Sequence, residues 1–393
     1  VPPPPPDPTP PDPDPPPPDP PDPPPTPPDP PEPPTPPTPP DPPTPPTPTP
    51  PDPPTPLPPP VPNYRAEVSL YAALPAMALR MGWATLGNLH ERVGEEEQLR
   101  DRDDLQSRTS FNGAWVRVIG EDGNVEGDRR GILGSGPKYD YDVLALQAGT
   151  DVYREQHDDG HRDHAGLYLG EGRIKSEVTH YNRIRVGKDK VDATSLGGYW
   201  THFWPEGGYL DAVVQGTWSD LESHSNRGLR LTSDTFGWAV SLEGGWPFHR
   251  EERLLEPQFQ IVYQRVDDFE GDDTIAQVRF RDAESLAARL GVRWAKDWQI
   301  DPTADGAPRL MTGWLRANVW HEFKGEPLTL FSAGDVDLPF LADISGTWWQ
   351  LNAGATRQIG RNTSVYANLG YQRSFGGSRF DAWDGKVGFR WNW

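Results

Sequence analysis

The chain has 393 residues, no cysteine, 58 acidic residues against 37 Lys and Arg, and a formal charge of −21. That balance excludes nucleic acid as a partner, because phosphate contacts need clustered Lys and Arg. The one basic stretch, Arg173 to Lys190, is broken by Glu177 and Asp189 and reads as a loop.

Composition changes sharply near residue 62. Residues 1–62 repeat Pro-Asp-Pro-Pro and Pro-Thr-Pro-Pro units and hold nine acidic residues and no basic one. Such a segment has almost nothing to bury. Proline fixes φ and lacks an N–H, so the expectation is a disordered, extended polyproline II linker reaching about 190 Å at ~3.1 Å per residue. Basic or aromatic flanks that would mark a ligand for proline-binding domains are missing, which favours a semi-rigid spacer. The chain starts at Val1 inside the proline run, without a signal peptide, and reads as a fragment or processed product.

Residues 63–110 read as a linker and a helix. Pro75 suits a position near a helix start, and Met77, Met81, Leu86, Leu89 and Val93 recur close to helical spacing over residues 64–100. Glu95, Glu96 and Glu97 make its far end wet. Leu70 to Leu89 is apolar enough to suggest a membrane span, but Arg80 at its centre would cost about 2.5–3.5 kcal/mol there. A helix threaded through a polar pore fits better.

Beyond Phe111 the pattern changes to period two, as on strands with one apolar face. Thr363, Val365, Ala367, Leu369 and Tyr371 alternate with Ser364, Tyr366, Asn368, Gly370 and Gln372. Val387, Phe389, Trp391 and Trp393 alternate with Lys386, Gly388, Arg390 and Asn392. Twelve such segments can be counted between residues 111 and 393, an even number as a bacterial antiparallel barrel needs. The second face is Gly, Asn, Gln, Ser, Arg and Asp, a poor dry core but a good wet lumen. Tyr139, Tyr141, Trp200, Trp204, Trp246, Trp298, Trp320 and Trp393 lie near strand ends, as in the aromatic girdles of membrane barrels. Long loops at 121–139, 174–188, 268–283 and 325–344 fall on one side. Short turns at Pro205-Glu206 and Gly360-Arg361 fall on the other, and in outer-membrane barrels the long loops are extracellular. The expected fold is therefore all-β: a 12-stranded antiparallel transmembrane β-barrel over 111–393, with one α-helix in the lumen and a disordered polyproline-rich segment before it.

Several short motifs occur in order: Tyr64-Arg65-Ala66-Glu67-Val68, Tyr71 to Pro75, Leu89-His90-Glu91-Arg92-Val93-Gly94, Trp115 to Gly120, and the terminal Phe389-Arg390-Trp391-Asn392-Trp393. With them, residues 63–393 resemble the β-domain of classical, pertactin/AIDA-like autotransporters. The resemblance implies an outer-membrane translocator or anchor that displays a covalently linked N-terminal passenger on the cell surface, without cofactor or metal. It implies a pore helix carrying Met77, Arg80, Met81, Leu86, Leu89 and Arg92, and a first strand marked by Trp115, Arg117 and Gly120. Phe389, Trp391 and Trp393 would form the signal read by the outer-membrane barrel assembly machinery. The other implied partners are outer-membrane lipids, and the expected state is a monomer. Members that cut the passenger inside the pore do so at paired asparagines. Here Asn88 is followed by Leu89, which does not support self-cleavage.

Other chemistry is weakly signalled. His157, His161 and His164 with Asp158, Asp159 and Asp163 form the densest set of candidate metal ligands, but without a ligand motif they read as a solvated turn. His180 and His224 lie near Glu177 and Ser225 in outer loops, and no nucleophile motif accompanies them, so an outer-membrane hydrolase is disfavoured. A passive porin-like channel is the alternative function. Arg80, Arg92, Arg117, Arg279 and Arg390 are candidates for charge-assisted hydrogen bonds in an acidic lumen. Arg80 and Arg92 on the helix would pair with lumen carboxylates and plug the pore, the alternative being snorkelling or solvated arginines.

Overall fold

The computed structural model describes residues 64–95, 113–127, 132, 136–302, 309–333 and 336–393. The proline-rich segment, Glu96, Glu97 and most of the link from helix to barrel lie outside the described residues. Two helices come first, α1 (Glu67–Leu86) and α2 (Leu89–Val93). Six long strands follow: β1 (Gly113–Glu126), β2 (Lys138–Gln156), β3 (Arg162–Thr179), β4 (Arg185–Phe203), β5 (Tyr209–Ser225) and β6 (Arg230–Gly245). Next come the short β7 (Phe248–Arg250), then β8 (Arg253–Val266), β9 (Phe269–Asp272), β10 (Gln277–Arg281) and β11 (Glu284–Ile300). The chain ends with β12 (Arg309–Glu322), β13 (Leu328–Ala333), β14 (Val336–Leu341), β15 (Gly346–Gly360), β16 (Thr363–Gly377) and β17 (Arg379–Asn392).

Twelve of these strands, β1–β6, β8, β11, β12 and β15–β17, form one antiparallel barrel. It closes where β1 pairs with β17, from Gly113 opposite Asn392 to Glu126 opposite Arg379. Alternation decides which face each residue takes. On β17, Trp383, Val387, Phe389 and Trp391 are exposed while Ala382, Asp384, Lys386, Arg390 and Asn392 are buried. Leu144, Leu167, Leu196, Val214, Leu290, Leu315, Leu351 and Leu369 continue the exposed apolar band around the barrel. An apolar exterior around a polar interior is the arrangement lipid imposes.

The two ends differ. One carries tight turns at 157–161, 204–208 and 361–362. In the turn at 204–208, Gly207 (φ 94°) donates its N–H to the Trp204 carbonyl and takes a left-handed conformation that a side chain would resist. At the other end, the segments 268–283 and 325–344 are expected from the sequence as loops. Instead they build a second sheet in the order β14-β13-β10-β9. Its strands are too short to register as twofold alternation, and pairing between two distant loops leaves no local signal. The expected loop at 174–188, with its basic stretch, is mostly strand as well, because only 180–184 separate β3 from β4. β2 and β4 have 19 residues each, about twice the 9–11 a span needs. The surplus carries charged residues past the apolar band, and charge there resembles loop composition.

Most of the exposed tryptophans form two belts, with Trp294 between them. Trp200, Trp246, Trp298 and Trp391 lie toward the tight-turn end, and Trp218, Trp238 and Trp383 toward the long-loop end. Tyr139, Tyr141 and Trp320, expected in these belts, are buried in the lumen instead. Inward rings near strand ends look identical to girdle rings in sequence.

Placing arginine midway between the belts tests this arrangement. Leu196→Arg should destabilise the vesicle-embedded barrel by about 2–4 kcal/mol in urea unfolding, while Thr232→Arg, beyond the belt at the long-loop end, should cost about 0–1 kcal/mol.

Candidate functional site

The lumen is filled by the helices, and this contact is the site. α1 has 20 residues, so it runs about 30 Å at ~1.5 Å per residue. All of its residues are buried except Arg80 and Trp83. The helix begins before Pro75, which lies in its interior and not near its start. A buried seat offsets the roughly 3 kcal/mol that an interior proline costs a helix. Nor is there a single helix over 64–100: Gly87 (φ 63°) ends α1 and Asn88 caps α2, accepting the Glu91 N–H at 3.1 Å. No described helix is long and apolar enough to cross a membrane.

Polar groups at the long-loop end hold the start of α1. Glu67 is fully buried and accepts hydrogen bonds from Arg227 Nε (2.9 Å), Arg227 Nη2 (2.6 Å) and Ser225 Oγ (2.6 Å). Ser69 meets His180 at 2.6 Å. Asp273, in the β9–β10 turn, pairs with Arg65 and accepts from Tyr71 Oη at 2.9 Å. Burial alone would raise the Asp273 carboxyl, but Arg65, the amides of Ala276 and Ile275 and the Tyr71 hydroxyl hold it below its ordinary value. Its folded pKa being depressed, this contribution is complete above the ordinary carboxylate range and is lost as pH falls through the folded value.

Below this collar lies an apolar socket. Leu70, Leu74 and Met77 pack with Ile174, Val178, Val191, Leu221 and Leu231 of the wall, and with Phe331 and Phe340 of the second sheet. Met81 sits over Gly172, where a Cβ would lie 2.0 Å from the Met81 Cε. The lumen is thus not uniformly wet, as its small and polar composition suggested, because the helix supplies the apolar partner that the wall alone lacks.

Further down, a charged belt takes over. Arg80 Nε donates to Glu121 at 2.6 Å, and Arg92 Nη2 to Asp211 at 2.6 Å. Arg316 and Lys386 both reach Glu91, and Arg293 pairs with Glu95. Glu95, expected to be wet, is buried. Wall groups also close the helix end. Arg117 donates to the Thr85 carbonyl at 2.7 Å, Gln260 to the Gly87 carbonyl at 3.0 Å, and Tyr366 to the Arg92 carbonyl at 2.5 Å. Glu243 accepts the Leu89 N–H at 2.9 Å. Leu86, Leu89 and Val93 pack near Trp115 and Tyr168. Trp83 stands edge-on to Trp320, 4.9 Å between centroids, and Trp320 stacks on Trp348. Arg80 and Trp83 border a small polar cavity on the β12–β17 side, lined also by Glu91, Gln350, Gln372 and Lys386. Because α1 leans on the opposite wall, the remaining space lies on one side of it.

Other sequence candidates go elsewhere. Arg390 is buried and lies 3.3 Å from Asp151, whereas Arg279 is on β10 of the second sheet, outside the lumen, paired with Asp337. Gly120 faces outward beyond Val116 and Val118. Phe389 and Trp391 are exposed, with the Trp391 and Trp393 rings 4.8 Å apart. His157 bonds Asp163 at 2.8 Å, which raises its pKa, and His202 bonds the other Asp163 oxygen at 3.0 Å. Among the described residues, no group of three or more His, Asp or Glu is arranged to hold a metal. His224 bonds Glu222, and the Ser225 hydroxyl donates to Glu67, so the two do not form a nucleophile–base pair. Sequence reasoning missed the wall carboxylates Glu121, Asp211 and Glu243 and the arginines Arg289, Arg293 and Arg316. Their only signal is an inward position in the alternation.

A closed barrel with a buried helix running its length is an outer-membrane translocator architecture. Residues 114–370 match the autotransporter β-domain family, and the chain belongs to it. It is 29% identical over 327 residues to the pertactin autotransporter of Bordetella parapertussis, covering 81% of this chain and 32% of that protein. It is 24% identical over 354 residues to the uncharacterized protein YdeU of Escherichia coli, covering 84% and 70%. The chain thus spans about a third of the length of the pertactin relatives. Among solved structures, the transport unit of AIDA-I from Escherichia coli superposes with a TM-score of 0.62 at 19% identity, covering 84% of this chain and all of that one. The β domain of Bordetella BrkA gives 0.55 at 25% identity, covering 72% and all of that chain. The protein is an outer-membrane translocator and anchor domain for a passenger.

Breaking one buried pair should be costly, because it strands the partner's charge. Arg92→Met should lower stability to urea by about 3–5 kcal/mol, and Arg92→Met with Asp211→Leu should recover most of that loss.

Proposed function

We propose that this domain exports and then anchors its passenger on the cell surface, with residues 1–62 as a spacer and 63–110 as linker and pore helix. The observation that supports this is the direction of α1. Its first residues are held by the long-loop end, through Ser225, Arg227 and Asp273, and its last by the tight-turn end where β1 begins. Tyr64, where the described chain begins, therefore stands at the long-loop end. The role is mechanical and not enzymatic. The domain acts as a monomer, and exposed Phe389 and Trp391 on the closing strand, with half-buried Trp393 just beyond its end, suit recognition by the barrel assembly machinery. Arg80 and Arg92, with the apolar seat of Met77, Met81, Leu86 and Leu89, keep the helix in place as a plug. Trp115 and Arg117 brace its lower end.

Residues 1–393 with a secretory signal and an epitope tag before Val1 provide the test. In intact bacteria the tag should bind antibody and be lost to external protease, leaving a protected barrel. A tag reached only after the outer membrane is opened would instead favour a channel with a periplasmic tether. In planar bilayers, Arg80→Ala with Arg92→Ala should increase single-channel conductance several-fold over a small wild-type value; unchanged conductance would refute the plug.

A further inference from the structure

On a given strand the two aromatic belts are eight residues apart: Trp238 and Trp246 at β6, Trp383 and Trp391 on β17. The same step up β4 from Trp200 reaches Asp192, and the next outward positions are Lys190 and Lys188. Beside them β3 turns Arg173 and Lys175 outward. Where β6 and β17 carry rings, β3 and β4 carry cations. Between Arg173 and Lys190 six Lys and Arg side chains face out, opposed by Glu177 within the stretch and by Asp142, Asp192 and Glu222 beside it, while Asp189 is buried in the lumen. In a chain of net charge −21 this concentration is local.

Internal pairing satisfies only part of it. Arg185 and Lys188 share Glu177, at 2.7 and 3.0 Å, and Lys190 lies between Asp192 and Glu222, at 3.1 and 2.8 Å. Arg173 pairs with Asp192. Lys175 stands directly opposite Lys190 in the β3–β4 ladder. Like charges in that position destabilise a sheet. On its other side Lys175 stands opposite Asp142 of β2, with which it forms no ion pair, so its ammonium is left without a salt bridge among the described residues.

We propose that Arg173, Lys175, Lys188 and Lys190 form a docking surface for the phosphorylated glycolipid headgroups of the outer leaflet. Their ammonium and guanidinium groups sit at the outer edge of the apolar band, at headgroup depth, and face the lipid. A phosphate between Lys175 and Lys190 removes their repulsion, and Arg173 offers a planar donor pair of the kind that binds phosphate at two points.

The test uses the full chain refolded in detergent micelles doped with diphosphorylated lipid A or with the same lipid stripped of phosphate. Binding is read by native mass spectrometry and by the thermal midpoint. Wild type should retain the phosphorylated lipid and gain midpoint temperature with it alone. Lys175→Gln, an exposed position whose loss disturbs no ion pair, should weaken retention roughly five-fold, and the four-fold Gln variant by two orders of magnitude or more. Heat-modified migration on gels confirms that each variant is folded. Equal retention of both lipids, or unchanged retention by the folded four-fold variant, would overturn the proposal. So would retention that depends wholly on added magnesium, since the carboxylates would then be the contact.

Discussion

Hydrocarbon offers the backbone no hydrogen-bond partner, and the architecture follows from that constraint. An open sheet would leave two edges unsatisfied in lipid at several kcal/mol per group. The pairing of β1 with β17 over their whole lengths removes both edges at once. It also brings the last strand against the first, so the ring is complete only when the C-terminal residues are in register. Inversion of the usual pattern follows, with the large apolar side chains turned to lipid and the polar ones inward.

That inversion leaves the interior with a difficulty. A wall of Gln, Asn, Arg and Asp cannot pack on itself, and an empty lumen would be a wide channel. The two helices resolve this with different chemistry at different depths. Near the long-loop end, inward Ile, Val and Leu of β3–β6 meet Leu70, Leu74 and Met77. Near the tight-turn end, Arg92, Glu91 and Glu95 meet wall groups of opposite charge. Neither zone could form without the helix, so the passage of the chain through the pore is built into the wall.

The barrel was legible because period-two alternation is a local signal and survives small boundary errors. Leu369 and Trp391 face outward in every reading of it. The lumen was less legible. Inward Tyr139, Tyr141 and Trp320 share both residue type and strand-end position with lipid-facing rings, and only the helix beside them distinguishes the two. Glu95 looked wet because it opens an acidic run, yet Arg293, nearly two hundred residues later, buries it. The second sheet was invisible for the same reason. Phe280 and Thr329 pair across two loops that nothing in either segment connects.

The charged belt accounts for how the helix is held more than for how tightly. Desolvating an arginine and a carboxylate costs several kcal/mol per ion, which their attraction only roughly repays. Net stabilisation must then come from the apolar socket, where burying a side chain such as Leu74 or Met77 yields about 1.5–3 kcal/mol. The belt contributes selectivity of position. Sliding the helix by one turn would move Leu74 or Met77 to another patch of apolar wall at small cost. It would also separate Arg92 from Asp211 and Glu91 from Arg316, leaving four buried charges unpaired. Stability from one zone and register from the other make the seated helix a single defined state, and the chain can leave that state only by giving up every pair together.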